Sequence, residues 1–175
     1  VPAELIRRLR EELPFKTIIT GYGLTETTGV GSICRQGDSD DTIAGTSGRV
    51  FPGTELKVAD DAGAEQPRGE RGEVWIRGFT VMRGYLDDPA QTAAAITPDG
   101  WLRTGDIGVM DEAGNLRIVD RLKDMFIVGG FNAYPAEIEG LMLANTKVAQ
   151  VAVVGAPEPR LGEVGVAFVQ WRSGC

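Results

Sequence analysis

The sequence predicts an α/β segment followed by a small, mostly antiparallel β-subdomain and then by a separate α+β unit. Three observations carry this prediction. A β-branched run at residues 15–20 stops at a glycine-rich loop, which is typical of a buried parallel strand. From about residue 45, short strand patterns alternate with turn signals. After residue 123 the pattern changes to a strand, a glycine turn and a helix, so a second unit begins there.

The predicted elements follow in order along the chain. Residues 2–13 place Pro2 at a first helical position, which predicts an amphipathic helix. A short helix is predicted after the cap Asp88 and the proline Pro89, and a longer one begins at Pro135. The apolar residues expected on buried faces of the two longer helices are Leu5, Ile6, Leu9, Leu13, Ile138, Leu141 and Met142. The predicted strands are 15–20, 55–59, 73–77, 116–119, 125–128, 148–154 and 164–171.

Composition excludes several classes of protein. The chain is 42% hydrophobic and 25% charged, as globular domains are, and its formal net charge of −7 argues against a nucleic-acid or anionic-membrane surface. It contains no histidine, which removes Ser-His and Cys-His catalysis and most transition-metal sites. The two cysteines, Cys34 and Cys175, lack CxxC spacing, and no apolar run could span a bilayer. We therefore expect a soluble protein of the cytoplasm.

The most informative motif is GYGLTETT at residues 21–28, in the loop after the predicted strand. It offers an aromatic face, a hydroxyl and a carboxylate within a few residues. These groups suit a purine, a phosphate oxygen and a magnesium ion, respectively. Taken alone, the Thr-Glu pair would instead indicate a capped turn, so the interpretation depends on the whole motif and its companions.

Two further motifs follow. In WLRTGD at residues 101–106, Asp106 comes after a glycine, where it could accept hydrogen bonds from both ribose hydroxyls, although alone it would indicate an Asx turn. DRLKD at 120–124 precedes GGFNAYPAEIE at 129–139. By itself that stretch is a charged hairpin followed by a helix that starts with proline.

In this order and spacing, the motifs resemble those of the adenylate-forming enzymes, which include acyl-CoA synthetases, aryl-CoA ligases, firefly luciferase and peptide-synthetase adenylation domains. The resemblance covers essentially the whole chain, including GRVFPG at 48–53 and GERGEV at 69–74. It implies part of a large N-terminal domain followed by a truncated α+β C-terminal lid. The resemblance implies that residues 1–44 form the end of an α/β subdomain and residues 45–122 a distorted β-barrel subdomain. Residues 123–175 would form the hinge and the start of the lid.

The resemblance also implies a reaction: ATP with Mg²⁺ activates a carboxylic acid as acyl-AMP, and coenzyme A then displaces AMP. Tyr22, between Gly21 and Gly23, would lie against the adenine. Thr25 would hydrogen-bond a phosphate oxygen, and Glu26 would bind the magnesium ion.

The other implied roles fall in the later motifs. Asp106 would hold the ribose hydroxyls with help from Arg121, so their removal should weaken ATP binding rather than abolish folding. Lys123 matches the hinge about which the lid rotates between the two half-reactions. The loop of Gly129, Gly130 and Phe131 would approach the pantetheine arm of coenzyme A.

Two family features have no counterpart in the sequence. The phosphate loop that ends in Pro-Lys would precede residue 1, and the lysine that stabilises charge at the α-phosphate would follow residue 175. Lys16, Lys57 and Lys147 do not stand in a matching context. We therefore expect this polypeptide alone to lack ligase activity, and we expect activity of the longer parent protein.

Other functions are kept as alternatives. The chain could be a noncatalytic nucleotide-binding or interaction module, an aryl-acid or peptide-synthetase adenylation domain, or a luciferase-like oxygenase. Coenzyme A is favoured as the acceptor by the motif at 129–139. Residues 21–49 resemble actinobacterial fatty-acid or steroid-side-chain CoA ligases, and Thr20, Gly21 and residues 30–33 would line one wall of the acid pocket. Exposed faces of the fragment predict a homo-oligomer.

Overall fold

The computed structural model describes residues 3–172, with side chains from residue 5 onward, so Pro2 and Cys175 lie outside the described residues. The chain divides into two compact units between Ile118 and Val119, and each unit is described by itself. Among the described helices, none combines the length and the apolar character that crossing a membrane requires.

The first unit is mainly antiparallel β-structure with three helices. Its helices are α1 (Ala3–Glu12), α2 (Asp40–Gly45) and α3 (Pro89–Ala95), with a 3₁₀ turn at Thr25–Thr27. Its strands are β1 (Gly21–Tyr22), β2 (Ser32–Ile33), β3 (Arg49–Val50), β4 (Thr54–Ala59), β5 (Arg71–Gly78), β6 (Leu102–Met110) and β7 (Leu116–Arg121), the last of which continues into the second unit.

A sheet in the order β4-β5-β6-β7 is the centre of the first unit. Successive residues of β5 point to opposite faces, as the strand period requires. Val74 and Ile76 are fully buried in the main core cluster, together with Leu116. On the other side, Trp75 packs in a second cluster with Trp101. This strand is therefore buried on both faces, which fixes its register.

A smaller sheet in the order β1-β2-β3 holds the GYGLTETT motif. Next to it, Ile6 of α1 is 1% exposed and packs with Ile43 of α2 and with Cys34, a free, buried cysteine. Helix α2 is capped by Ser39, whose hydroxyl accepts a hydrogen bond from the Thr42 amide. These contacts anchor the short strands that carry the motif.

The second unit is a four-stranded antiparallel sheet with one helix. Its elements are β8 (Phe126–Val128), β9 (Phe131–Ala133), α4 (Pro135–Leu143), β10 (Val148–Glu158) and β11 (Gly162–Trp171), and the strand order is β10-β11-β8-β9. Phe126 is buried against two glycines of the β10–β11 hairpin. A Cβ at Gly155 would lie 2.5 Å from Phe126 Cβ, so the sheet closes there only because that side chain is absent.

Most predicted elements form, and three predictions are wrong. No strand covers residues 15–20: Phe15 is 57% exposed, and a parallel strand requires neighbouring strands, of which the described residues provide none for this segment. Leu141 is 78% exposed, because nine-residue α4 packs only a narrow stripe against β10. Leu5 of α1 and Leu13, which follows the end of α1, are also exposed.

Strand β6 and helix α2 were not predicted from the sequence. The Pro89 and Pro135 helices, by contrast, begin as predicted, with Asp88 accepting a hydrogen bond from the Gln91 amide.

Candidate functional site

The motif at residues 21–28 forms a tight loop between β1 and β2. These strands pair antiparallel, with Tyr22 opposite Ser32. The loop is closed by Thr27, which is fully buried. Its hydroxyl accepts a hydrogen bond from the Leu24 amide (2.9 Å) and donates one to the Leu24 carbonyl (3.1 Å). One side chain therefore satisfies both backbone groups at the start of the 3₁₀ turn.

Glycine is required at position 23 by packing. A Cβ there would lie 2.3 Å from the Gly29 carbonyl oxygen and 2.5 Å from the Val30 nitrogen. Both atoms belong to the backbone and cannot rotate away. The backbone at residues 29–30 can therefore lie this close to residue 23 only because residue 23 is a glycine.

Asp106 lies in a wide irregularity of the β5–β6 pairing. Glu73 pairs with Ile107 and Trp75 pairs with Arg103, so the three residues 104–106 oppose Val74 alone. The extra backbone groups are satisfied locally: the Thr104 hydroxyl donates to the Val74 carbonyl (2.7 Å), and Glu73 accepts from the amide of residue 105 (2.9 Å). Such bulges redirect side chains, and this one turns Asp106 out of the regular ladder.

The structure brings Tyr22 and Asp106 together. The Tyr22 hydroxyl donates a 2.6 Å hydrogen bond to Asp106 Oδ2, across 84 positions of sequence. Asp106 is 6% exposed and Tyr22 is half-buried. A short bond to a carboxylate is charge-assisted, so it holds both side chains in one geometry.

Glu26 lies on the 3₁₀ turn and is held through one carboxylate oxygen. The Tyr85 hydroxyl donates to Glu26 Oε1 (2.9 Å), and the Met82 amide donates to the Glu26 carbonyl (2.8 Å). The hydrogen bond to Glu26, together with burial, raises the pKa of Tyr85 above its ordinary value. Beside it, Thr25 is exposed, and its hydroxyl makes no hydrogen bond to a described residue.

The later predicted residues lie in the second unit. Arg121 and Lys123 are both exposed, at the end of β7 and in the turn that follows. The turn is anchored by Asp120, which is buried and accepts hydrogen bonds from the Arg121 amide (2.7 Å) and from the Ala136 amide at the start of α4 (2.9 Å). Lys123 lines a shallow cavity of about 280 Å³ that Phe126 and Glu163 also line.

Gly129 and Gly130 form the two-residue turn of the β8–β9 hairpin. Their φ values are 57° and 88°, and positive φ at both turn residues matches the twist of a hairpin. The next residue, Phe131, is 80% exposed at the tip. A Cβ at Gly130 would meet no atom within 4 Å, so one side of the turn is open.

A magnesium ion at Glu26 would depend on ligands from elsewhere. The described residues contain no group of three acidic, cysteine or histidine side chains that could hold a metal. Magnesium commonly takes one or two carboxylates and completes its shell with phosphate oxygens and water. The Glu26 carboxylate fits that kind of site.

Lys57, which does not stand in the sequence context of the family's lysine, is held on the central sheet. Its ammonium donates to the Gly63 carbonyl (2.7 Å) and lies 4.7 Å and 4.6 Å from the ring centroids of Trp75 and Trp101. This is a structural cation–π contact on the central sheet.

Tyr85 is a candidate site residue that sequence reasoning missed. It lies 59 positions from Glu26, in a stretch without helical or strand periodicity, and no spacing signal could have found it. Thr28 was likewise missed: it has a φ of 56°, and its hydroxyl donates to the Thr80 carbonyl (2.8 Å).

Comparison with known proteins adds independent findings. Residues 1–86 match the model of the AMP-binding enzyme family, and residues 137–174 match that of the AMP-binding enzyme C-terminal domain. The chain is 54% identical over 174 residues to a (7a-methyl-1,5-dioxo-octahydro-inden-4-yl)propanoyl:CoA ligase of Mycobacterium tuberculosis, covering 99% of this chain and 32% of the relative. A ligase of the same name from Rhodococcus jostii is 47% identical, with the same coverage. The chain thus spans about a third of the length of these relatives.

The fold is also similar to a solved structure, O-succinylbenzoate coenzyme A synthetase of Bacillus subtilis in complex with ATP and magnesium ion. The TM-score is 0.82 at 33% identity, and the match covers 97% of this chain and 34% of that one. This likeness confirms the mixed α/β and α+β class that the sequence predicted.

Proposed function

Because the chain belongs to the AMP-binding enzyme family, we propose that the protein carrying it is an ATP-dependent acid–CoA ligase. In the first half-reaction, a carboxylate oxygen attacks the α-phosphorus of ATP, forming acyl-AMP and releasing pyrophosphate. In the second, the thiol of coenzyme A attacks the acyl carbon, the thioester forms, and AMP leaves.

The observation that carries the proposal is the contact between Tyr22 and Asp106. It joins the aromatic ring assigned to the adenine with the carboxylate assigned to the ribose, as one nucleoside would require. The bulge at residues 104–106 gives Asp106 its orientation, and the buried Thr27 fixes the loop that carries Tyr22. Gly21 and Gly23 let the loop backbone pass closely beside its neighbours. We assign these residues to nucleotide binding.

Thr25 and Glu26 are proposed to face the phosphates. The exposed Thr25 hydroxyl suits a phosphate oxygen, and the Glu26 carboxylate suits a magnesium ion shared with the nucleotide. Bound there, magnesium would neutralise charge that develops on the phosphate oxygens during the displacement.

We propose that the second unit takes part in both half-reactions. Arg121 would support Asp106 at the ribose. Lys123 would be the hinge between the β-barrel subdomain at residues 45–122 and the lid at residues 123–175. Residues 1–44 would form the end of the α/β subdomain, as the sequence predicts. The exposed Phe131 and the open side of Gly130 support a role of this hairpin in guiding the pantetheine arm.

For the substrate, we propose a bicyclic, ketone-bearing propanoic acid of the kind named for the two actinobacterial relatives. Fatty and aryl acids are the comparison substrates. We also propose a cytoplasmic location, which the free thiol of Cys34 supports, and a homo-oligomer as the assembly to test. The similarity to CoA ligases does not favour a noncatalytic module.

The test uses the full-length product of the gene that encodes this chain. Pyrophosphate release is measured with ATP, magnesium and each class of acid, with and without coenzyme A. We expect acid-dependent release of pyrophosphate, with AMP and an acyl-CoA as products and the highest kcat/KM for the bicyclic acid. Turnover to ADP and phosphate, or no turnover with any acid, would overturn the proposal.

A further inference from the structure

The two carboxylate oxygens of Glu26 differ in their hydrogen bonding. Oε1 accepts the 2.9 Å hydrogen bond from Tyr85, whereas Oε2 accepts none from any residue between 3 and 172. A carboxylate fixed at one oxygen cannot rotate freely about its last torsion. The second oxygen therefore keeps a defined direction.

Tyr85 is itself held in place by helix α3. Its amide donates to the Thr92 hydroxyl (2.9 Å), and that hydroxyl donates to the Asp88 carbonyl (2.8 Å). A Cβ at Gly84 would lie 2.8 Å from Thr92 Cγ2, so the backbone lies directly against the helix. Because Asp88 caps α3, the helix start and the Tyr85 backbone form one hydrogen-bonded unit.

The segment that leads to Tyr85 is also joined to the loop of Glu26 through the backbone. The Met82 amide donates to the Glu26 carbonyl (2.8 Å), and the Thr28 hydroxyl donates to the Thr80 carbonyl (2.8 Å). Together with the Tyr85 side chain, this gives three hydrogen bonds between residues 80–85 and residues 26–28. The donor and the carboxylate it holds are thus parts of one rigid arrangement.

We propose that Tyr85 is a positioning residue, whose hydroxyl orients the Glu26 carboxylate so that Oε2 faces the magnesium ion of the bound nucleotide. The inference rests on the proposed function, in which Glu26 is the magnesium ligand. Tyr85 touches neither metal nor substrate in this arrangement and acts through Glu26. Hydrogen bonds that orient a ligating carboxylate commonly change metal affinity 10- to 100-fold.

The test replaces Tyr85 in the full-length protein with phenylalanine, which keeps the ring and removes the donor. Binding of Mn²⁺ in the presence of a non-hydrolysable ATP analogue is followed by electron paramagnetic resonance, and the Mg²⁺ dependence of pyrophosphate release is measured in parallel. We expect Y85F to bind Mn²⁺ about tenfold more weakly. Its half-saturating Mg²⁺ concentration should rise by a similar factor, with the KM for the acid unchanged and the rate restored by excess Mg²⁺.

Two controls separate positioning from folding. Thr54→Val removes another hydroxyl donor, the one that bonds the Phe51 carbonyl (2.7 Å), and should leave both Mn²⁺ binding and the Mg²⁺ dependence unchanged. Tyr85→Leu removes the ring as well. If the hydroxyl acts on Glu26, then Y85L should weaken Mn²⁺ binding at least as much as Y85F.

The outcomes distinguish this inference from the proposed function. A wild-type protein that binds Mn²⁺ with the analogue, together with a Y85F variant that binds it equally well, would overturn the inference alone. A Y85F defect that excess Mg²⁺ does not restore would also overturn it, since a general structural defect would behave in that way. A wild-type protein that binds no Mn²⁺ with the analogue would overturn both.

Discussion

The Tyr22 hydroxyl lies 2.6 Å from Asp106 Oδ2, and this hydrogen bond joins a loop of the small sheet to a bulge in the central sheet. Asp106 is buried, so its carboxylate depends on such donors. The two side chains that we assign to the adenosine therefore position each other before a nucleotide binds.

Removing this hydroxyl should weaken ATP binding specifically. Hydrogen bonds to charged groups contribute about 1.5–3 kcal/mol, and about 1.4 kcal/mol corresponds to a factor of ten in affinity. We expect Tyr22→Phe to raise the KM for ATP about tenfold and to leave the KM for the acid unchanged. Steady-state kinetics of the full-length protein measure both constants.

A double-mutant cycle with Asp106→Asn checks that the two residues act together. The effects of the two single variants on ATP affinity should not add in the double variant. Strict additivity, or equal losses in the KM for ATP and for the acid, would contradict the assignment.

The loop at Gly23 should not tolerate a side chain. The added Cβ of Gly23→Ala would lie 2.3 Å from the Gly29 carbonyl oxygen, which forces the loop backbone apart. Overpacking of this kind typically costs about 1–3 kcal/mol. We expect a lower thermal midpoint and at least tenfold weaker ATP binding, as measured by calorimetry.

Gly45→Ala is the matched control for this prediction. A Cβ at Gly45 meets no atom within 4 Å, and the residue ends helix α2. G45A should bind ATP as the wild type does. If G23A and G45A behaved alike, then the close approach at Gly23 would not matter for binding.

Asp111 should make stability depend on pH. Burial acts to raise the pKa of Asp111, but hydrogen bonds from Asn115 and the turn backbone more than offset this effect, so the pKa lies below its ordinary value. A lowered native pKa contributes stability above the unfolded value of about 3.9. That contribution is lost as the pH falls through the native pKa.

The variant Asp111→Asn keeps an acceptor oxygen but cannot ionise. At pH about 7 it should be less stable than the wild type by about 0.5 kcal/mol, a small value because Asp111 is exposed to screening solvent. The difference in thermal midpoint should shrink below pH about 4. Glu112→Gln in the same turn is the control and should show no such change. A difference for D111N that is constant with pH would disprove the role of its charge.

Local sequence signals predicted much of the fold, and the failures have physical causes. Asp88 and Pro89 mark the start of α3 because capping is a short-range interaction. Strand β6 was missed because its sequence, LRTGDIGVM, includes two glycines and an aspartate that disfavour strands. It forms because β5 pairs along it and because the bulge accommodates residues 104–106.

The site could be predicted only in part. The residue types in GYGLTETT suggested nucleotide chemistry, and the resemblance to a family grouped them with Asp106. No periodicity relates Tyr22 to Asp106, or Glu26 to Tyr85, because these contacts arise from the packing of distant segments. Tyr85 therefore became visible only when the structure brought it to Glu26.

The central claim is that a carboxylate attacks the α-phosphorus of ATP, and oxygen labelling tests it most directly. The full-length protein is supplied with ATP, coenzyme A and an acid labelled with ¹⁸O in its carboxylate, and the nucleotide product is analysed by mass spectrometry. We expect AMP that carries one ¹⁸O atom from the acid. AMP without label, or label in inorganic phosphate beside ADP, would contradict adenylate formation.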